Sequence, residues 1–583
     1  MELTPEFGGE ALAKRLGEEN NASGRWVIDS PPSPDFPIYT RGNVGEVFPD
    51  VVKPFSWSLW GIPHGEPGWR QALVNLGAFD MDEFPEADMA MLSVFGGYCY
   101  LNVTASRIFG VRAPGLTPEA IDASFFGGQD GVPPYAPKDT DVSPRHEAQL
   151  LETIGWVLTT QELPQLDEMR ANVLQLREDR PDLSSLSDAD LLAHVRRLAT
   201  DWWYPYWTRH IMATYHSMIP AGAVGEVAMA VGLPELAADI LTSDRPVDSA
   251  RPALALWALS RDIRADDNLR AAFERNGVSA LGSRWDDFIA EFGFRGPNEW
   301  EMASIVWELD PSSPAQALAG RVRAPDSDSP ATKKAARDAA RKEAIAAVEA
   351  RLEGNDEVLG QFRAAAQSCA VFFAARERTR TNCAQVTHEM RMAMVELGRR
   401  YIERGVFETA QDFSLLTNAE WDQAIADPDS VKALISERRA METKLEGLVP
   451  PFIVNGVVPP LSEWEVRGAA RDELAIGDHI QGQPGCAGVY EGRATVILDP
   501  SDPGGLELGD ILIARHTDPS WTPIFAAVSG VVVNVGATIS HAVIVARELG
   551  VPCVVSADGA TDRIPNGATI RVDGGAGTVT RIG

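Results

Sequence analysis

The chain has 583 residues, room for about three or four domains at roughly 150 residues each. Asp and Glu number 83 against 52 Lys and Arg, a formal charge of −31, and so acidic a surface repels nucleic-acid backbones and anionic lipid. Hydrophobic residues at 45% and charged residues at 23% exclude a disordered chain.

The first residues, Met1 to Phe7, lack a basic stretch followed by an apolar run, so no secretory signal is expected. The five cysteines (Cys99, Cys369, Cys383, Cys486 and Cys553) are scattered and never in C-x-x-C spacing. That pattern suits reduced thiols in a cytoplasmic protein and argues against a structural zinc site. No metal-binding set is expected.

Residues 1–150 are rich in Pro, Gly and aromatics and read as an irregular first part of a substrate domain. Their most apolar window, Met89 to Ala105, is broken by Ser93, Gly96, Gly97 and Asn102, and reads as a buried helix, not a membrane span. From 151 to 445 the pattern is helical, with amphipathic runs at Ser187 to Thr200 (Ser187 as N-cap) and Pro428 to Lys444. Within it, Asp201 to His216 concentrates aromatics, which suits either helix core or an aromatic-lined pocket for a flat substrate. The run Ala331 to Glu353, Ala mixed with both charges, predicts an exposed helix with i,i+4 ion pairs. Residues 446–480 hold Pro450-Pro451 and Pro459-Pro460 and read as a linker or hinge.

After it the period becomes that of strands: Arg493 to Leu498, Asp510 to Ala514, Val531 to Val535, Pro552 to Ser556 and Thr569 to Val572. The fold class is therefore multidomain α+β, a large mainly helical domain over 1–445 and a compact β/β/α domain over 481–583.

The passage from Gly536 to Pro552 (GATISHAVIVARELGVP) carries the chemistry. Ser540 is an N-cap; Ala542, Val545, Ala546 and Leu549 follow at helical spacing, and Gly550 with Pro552 ends the helix. His541 thus sits at a helix N-terminus, where free N–H groups favour an anion and the dipole disfavours imidazolium. A neutral ring there can act as a nucleophile, or it can merely pack and cap.

The stretch Gly482 to Gly583 resembles the swivelling phosphohistidine domain of the phosphoenolpyruvate-utilising enzymes. These include phosphoenolpyruvate synthase, pyruvate phosphate dikinase, rifampicin phosphotransferase and phenylphosphate synthase. The matching motifs are Gly485 to Gly488, Gly492-Arg-Ala, Gly509-Asp-Ile-Leu, Thr517 to Pro523, the helix from Ser540 and Val572-Asp573-Gly574. The resemblance implies that His541 is a covalent phosphoryl carrier, with Thr517, Ser540 and Arg547 supporting the phosphoryl site. Ile539 stands where the dikinases and the synthase usually have Thr, as in rifampicin phosphotransferase-like members.

Only 42 residues follow His541, so no carboxy-terminal phosphoenolpyruvate barrel is expected, nor is there room ahead of the helical region for an ATP-grasp domain. Further segments resemble the substrate domain of rifampicin phosphotransferase-like enzymes: Tyr39 to Pro49, Phe292 to Glu299, and Arg376-Glu377 with Arg380 in place of a Lys. By that likeness Arg376 and Arg380, one helix turn apart, clamp the phosphoryl group in transit; an ion-pair ladder with Glu377 is the plain alternative. Asn43, Glu46, Arg295 and Glu299 are substrate-binding candidates, against turn chemistry for the first two and a buried ion pair for the others. His210, His216 and His388 are candidate bases.

The resulting expectation is a phosphotransferase subunit. A separate ATP-grasp subunit holding ATP and Mg2+ passes a phosphoryl group to His541, releasing AMP and phosphate, and His541 delivers it to a small phenol. A split antibiotic or natural-product phosphotransferase of the rifampicin type is the alternative within the enzyme class; a non-catalytic phosphohistidine relay lies outside it.

Overall fold

The computed structural model describes residues 9–85, 88–126, 131–242, 248–326, 329–468, 472–498, 505–517, 521–525, 527–536 and 540–583. Its largest part is built on one helix of 48 residues, Asp356–Glu403. The middle of this helix is buried on all sides, with Cys383, Val386, Met390, Ala393, Met394 and Leu397 on one face and His388, Glu389 and Arg391 on the others, which requires neighbours all round. Tyr204–Ala230 lies along it, and Pro144–Thr159, Gln165–Glu178 and Asp188–Leu198 complete the surrounding layer. Ser187 caps the last of these by accepting from the Asp190 N–H at 3.1 Å. Much of the aromatic run from Asp201 is core: Trp203 sits between Trp60 (4.4 Å between ring centres) and Trp207 (5.0 Å).

The window expected to be a buried helix, Met89 to Ala105, is a buried β-hairpin, Leu92–Phe95 and Tyr98–Asn102. The connecting Gly96 and Gly97 both have positive φ (55° and 83°), as a tight two-residue hairpin turn demands. Both faces are buried, so no alternation reveals the strands. The sheet continues through Ile38–Thr40 to Ile453–Asn455, every pair antiparallel. The first half of the expected linker therefore belongs to the first, mainly helical domain. Leu448–Val449 pairs with Glu465–Val466, and Trp464 is buried beside Tyr98. Leu474 already packs with the second domain, so the connection narrows to the few residues between, of which 469–471 lie outside the described set.

The helix Pro330–Arg351 carries the expected i,i+4 pair, Lys334 to Asp338 at 2.6 Å, but it is not free-standing. Ala344 and Val348 are buried, Arg341 donates to the carbonyls of Ile240 (3.2 Å) and Ala366 (2.9 Å), and the helix packs against His541–Leu549.

The C-terminal domain is an eight-stranded sheet in the order His479–Gln481, Thr578–Arg581, Thr569–Asp573, Val489–Val496, Ile511–Ala514, Gly530–Val533, Cys553–Val555, Gln483–Cys486. From Val489–Val496 to Cys553–Val555 the pairing is parallel. Parallel strands covered on both faces read as unbroken apolar runs. Leu512, Val531, Val533 and Val555 meet the helix His541–Leu549 on one face; Ile511, Ile513, Val532 and Val554 pack with Ile570 and Val572 on the other. No helix among the described residues is long and apolar enough to cross a membrane.

A Cβ on Gly96 would lie 2.4 Å from the Trp464 ring, in a left-handed backbone position. Gly96→Ala should cost about 1–3 kcal/mol in chemical denaturation. Gly24→Ala, also at positive φ (67°) but with open space around it, should cost clearly less. Equal losses would show that the packing of Trp464 on the hairpin contributes nothing.

Candidate active site

The second domain docks its helix His541–Leu549 onto the first. Ser540 begins the helix in extended geometry, its Oγ accepting from the Val543 N–H at 3.5 Å, and Gly550 ends it in the left-handed conformation (φ 65°). Ala542, Val543, Val545 and Ala546 face their own sheet, while His541 and Ile544, three residues apart, face a cavity in the substrate-side domain.

That cavity draws on segments far apart in sequence. The turn after Ile38–Thr40 brings Asn43, at φ 67°, and Glu46. The helix Tyr204–Ala230 brings Trp207, His210, Ile211 and Thr214 at positions i, i+3, i+4 and i+7. Asp356–Glu403 brings Arg376, Glu377 and Arg380, and Trp69 and Trp300 complete the aromatic wall.

His541 is 6% exposed and lies at the centre of this arrangement. Its backbone N–H donates to Glu46 Oε2 at 3.2 Å, so the carboxylate takes the anion-favouring place at the helix N-terminus. Its Nδ1 lies 3.2 Å from Thr517 Oγ1, and the Phe525 ring meets it edge-on at 5.9 Å. Nε2 has no hydrogen-bond partner among the described residues. With Nδ1–H donating to Thr517, the free lone pair is on Nε2. Burial, then the positive charges of Arg380 and Arg295, hold the ring's pKa well below its usual value. His541 is therefore neutral at pH 7, as a nucleophile must be.

The other candidates divide. Arg376, Arg380, Asn43, Glu46 and His210 line the cavity with His541. The Arg380 guanidinium lies 6.0 Å from the Trp300 ring centre, and burial lowers the Arg376 pKa. His210 places Nδ1 3.1 Å from Thr379 Oγ1; burial and then Arg376 and Arg380 keep it neutral. His216 is elsewhere, packed between Trp156 (5.0 Å) and Phe372 (5.5 Å), with burial holding it down to about 4. Six residues from His210 turn it away from the cavity wall. His388 is also remote, with Nε2 2.8 Å from Glu308, and neither ring is positioned as a base.

Arg295 and Glu299 form a buried ion pair at 2.9 Å and do not line the cavity. Arg295 acts on His541 only through its field. Arg547 points away too: its Nε donates to the Gly485 carbonyl at 2.9 Å and fastens the helix to the neighbouring strand. Asp518 to Ser520 of the Thr517 motif, and Ile539, lie outside the described residues. Thr214, Trp69 and Trp300 were not singled out by sequence, because nothing local marks a residue that joins a cavity only through the fold.

One cluster could in principle hold a metal ion: Asp80, Glu83 and His146. Arg145 pairs with Asp80, and Arg112 with Glu83 at 2.6 Å, so guanidinium groups already occupy these carboxylates. The donor set does not suit Mg2+, and it does not line the His541 cavity.

Because the His541 pKa is depressed in the folded protein, the stability it contributes is complete above the ordinary value near 6.5 and is lost as pH falls below it. Nitrogen NMR of histidine-labelled protein should show a neutral His541 ring at about pH 6, half a unit below that ordinary value. Thr517→Val should mix the two ring tautomers. An imidazolium signal at that pH would contradict the burial of the ring.

Residues 506–577 match the model of the mobile domain of PEP-utilising enzymes, and residues 207–377 that of the fourth domain of rifampicin phosphotransferase. An uncharacterized protein of Mycobacterium tuberculosis is 28% identical over 602 residues, covering 98% of this chain and 64% of its own length. Rifampicin phosphotransferase of Bacillus subtilis is 36% identical over 190 residues, 32% of this chain and 21% of the relative. The prodigiosin synthesizing transferase PigC of Serratia marcescens is 29% identical over 347 residues, 56% of this chain and 38% of the relative. The chain thus spans less than two thirds of the length of these relatives. It carries the mobile domain of the phosphoenolpyruvate-utilising enzymes, joined to a substrate-side region related to the fourth domain of rifampicin phosphotransferase.

Proposed function

We propose that this chain is the acceptor-side part of a phosphotransferase of the rifampicin phosphotransferase type, in which His541 carries the phosphoryl group to the hydroxyl of an organic acceptor. The observation that supports it most is the shared cavity. A buried, neutral histidine with an unpartnered Nε2 enters a chamber holding two arginines, two carboxylates and an aromatic wall.

In the transfer, the acceptor oxygen attacks phosphorus as the Nε2–P bond breaks, and the bond electrons return to His541. Arg376 and Arg380 steady the charge on the moving phosphoryl oxygens, which is the main demand of such a step. The hydroxyl proton passes to Glu46, the carboxylate held against the carrier residue itself. Docking excludes water from the phosphohistidine and so limits hydrolysis. The donor would be ATP with Mg2+ on an ATP-grasp module, reached when the mobile domain undocks: its β-phosphoryl would go to His541 and its γ-phosphoryl to water, leaving AMP and phosphate.

The acceptor reading differs from the sequence expectation of a small phenol. The named relatives include rifampicin phosphotransferases and the prodigiosin synthesizing transferase PigC. These relatives favour a multi-ring natural product with a hydroxyl group as the acceptor over a single-ring phenol.

The test uses β-labelled ATP and the purified chain with an extract of its own cells. Acid-labile label should appear on the natural protein and not on His541→Ala. Arg376→Ala should accept label but discharge it to acceptor about 100-fold more slowly, the usual cost of removing one charge-stabilising donor. Label without any dependence on His541 would sink the proposal. Rapid discharge by simple phenols, with none by large hydroxylated natural products, would restore the phenol reading.

A further inference from the structure

A second cavity lies beside the same long helix and is lined by Arg170, Arg251, Arg295, Asp248, Glu291 and Gln385 among others. Thr381 and Gln385 place it one turn along from Arg376, Glu377 and Arg380. None of the six lines the His541 cavity.

Its charges do not balance. Arg251 pairs with Glu291, Arg378 with Asp248 at 2.5 Å, and Arg295 with Glu299 at 2.9 Å. Arg170 is left over, with no ion pair to any described residue, and it is close enough to repel Arg378. Burial first, and then Arg170, Arg251 and Arg295, bring the Arg378 pKa down to about 10 despite the support of Asp248. Two buried polar atoms on the wall also lack partners among the described residues. They are Nε of Arg295, which is 2% exposed, and Oε1 of Gln385, which is 8% exposed. Unsatisfied buried donors and acceptors are costly, and a polar cavity that keeps both signs open is suited to a ligand that answers both.

We propose that this cavity binds a phosphate-class oxyanion. Arg170 and the Arg295 Nε–H donate to its oxygens, and the P–OH of hydrogenphosphate donates to Gln385 Oε1, which sulfate at neutral pH cannot do. The anion rests on the guanidinium whose field reaches His541, so occupancy weakens that field and couples the two cavities. The inference stands apart from the identity of the acceptor, since it uses a cavity that the transfer step does not.

Calorimetric titration of the full chain tests it, with inorganic phosphate, methyl phosphate and sulfate as probes. Phosphate should bind saturably with a dissociation constant of about 1 mM or tighter, an ordinary strength for a few charge-assisted contacts. Arg170→Ala should weaken it at least about tenfold, and since Arg170 makes no hydrogen bond to any described residue, that variant should melt like the natural protein. Gln385→Leu should weaken phosphate and leave sulfate unchanged, which keeps the test open if one variant misfolds. Arg376→Ala should bind phosphate normally. Tighter binding of methyl phosphate would identify the ligand as the head of a phosphate ester, and looser binding as free phosphate. No saturable binding of either, or binding lost in Arg376→Ala and kept in Arg170→Ala, would overturn the proposal.

Discussion

The site depends on one contact, that of the Glu46 carboxylate with the backbone N–H of His541. It joins residues 495 positions apart, one in each domain. A helix N-terminus has N–H groups to satisfy and carries partial positive charge, and a carboxylate meets both needs. The contact orients the histidine into the cavity, and Thr517 sets the ring about its own axis. Burial lowers the Arg376 pKa, and the nearby Glu46 opposes that effect. In the proposed transfer, the two arginines attract a phosphoryl group carried on Nε2.

The proposed reaction requires the two domains to separate, because a histidine buried to this extent could not meet a nucleotide donor while docked. The strand Glu465–Val466 pairs within the first domain and Leu474 already packs in the second, so little chain joins the two. The sheet of that domain is closed over both faces by its own core, so it can leave without exposing its interior. The long helix Asp356–Glu403 stays behind as the rigid element that carries both arginines.

What was legible in the sequence was local. The helix from His541 announced itself through Ser540, its apolar period and Gly550, and the strands around it were readable as short apolar runs between turns. The hairpin at Leu92 to Asn102 was not, because strands buried on both faces lose their alternation, and the paired glycines that mark the turn also suit a broken helix. The same limit governs the site. Arg376 and Arg380 are one helix turn apart and could be read as a pair, whereas Trp69, Trp300 and Thr214 reach the cavity only through tertiary packing. His216 and His388 had the right chemistry in the wrong place, each satisfied inside the helical core.

The central claim is that Nε2 of His541 is the atom that carries the phosphoryl group, because Nδ1 is engaged by Thr517 and Nε2 opens on the cavity. Phosphorus NMR of the phosphorylated chain, with mass spectrometry of its peptides, distinguishes the two ring isomers and places the modified residue. The account predicts a single Nε2-phosphohistidine at position 541. A phosphoryl group on Nδ1, or on any other residue, would contradict it.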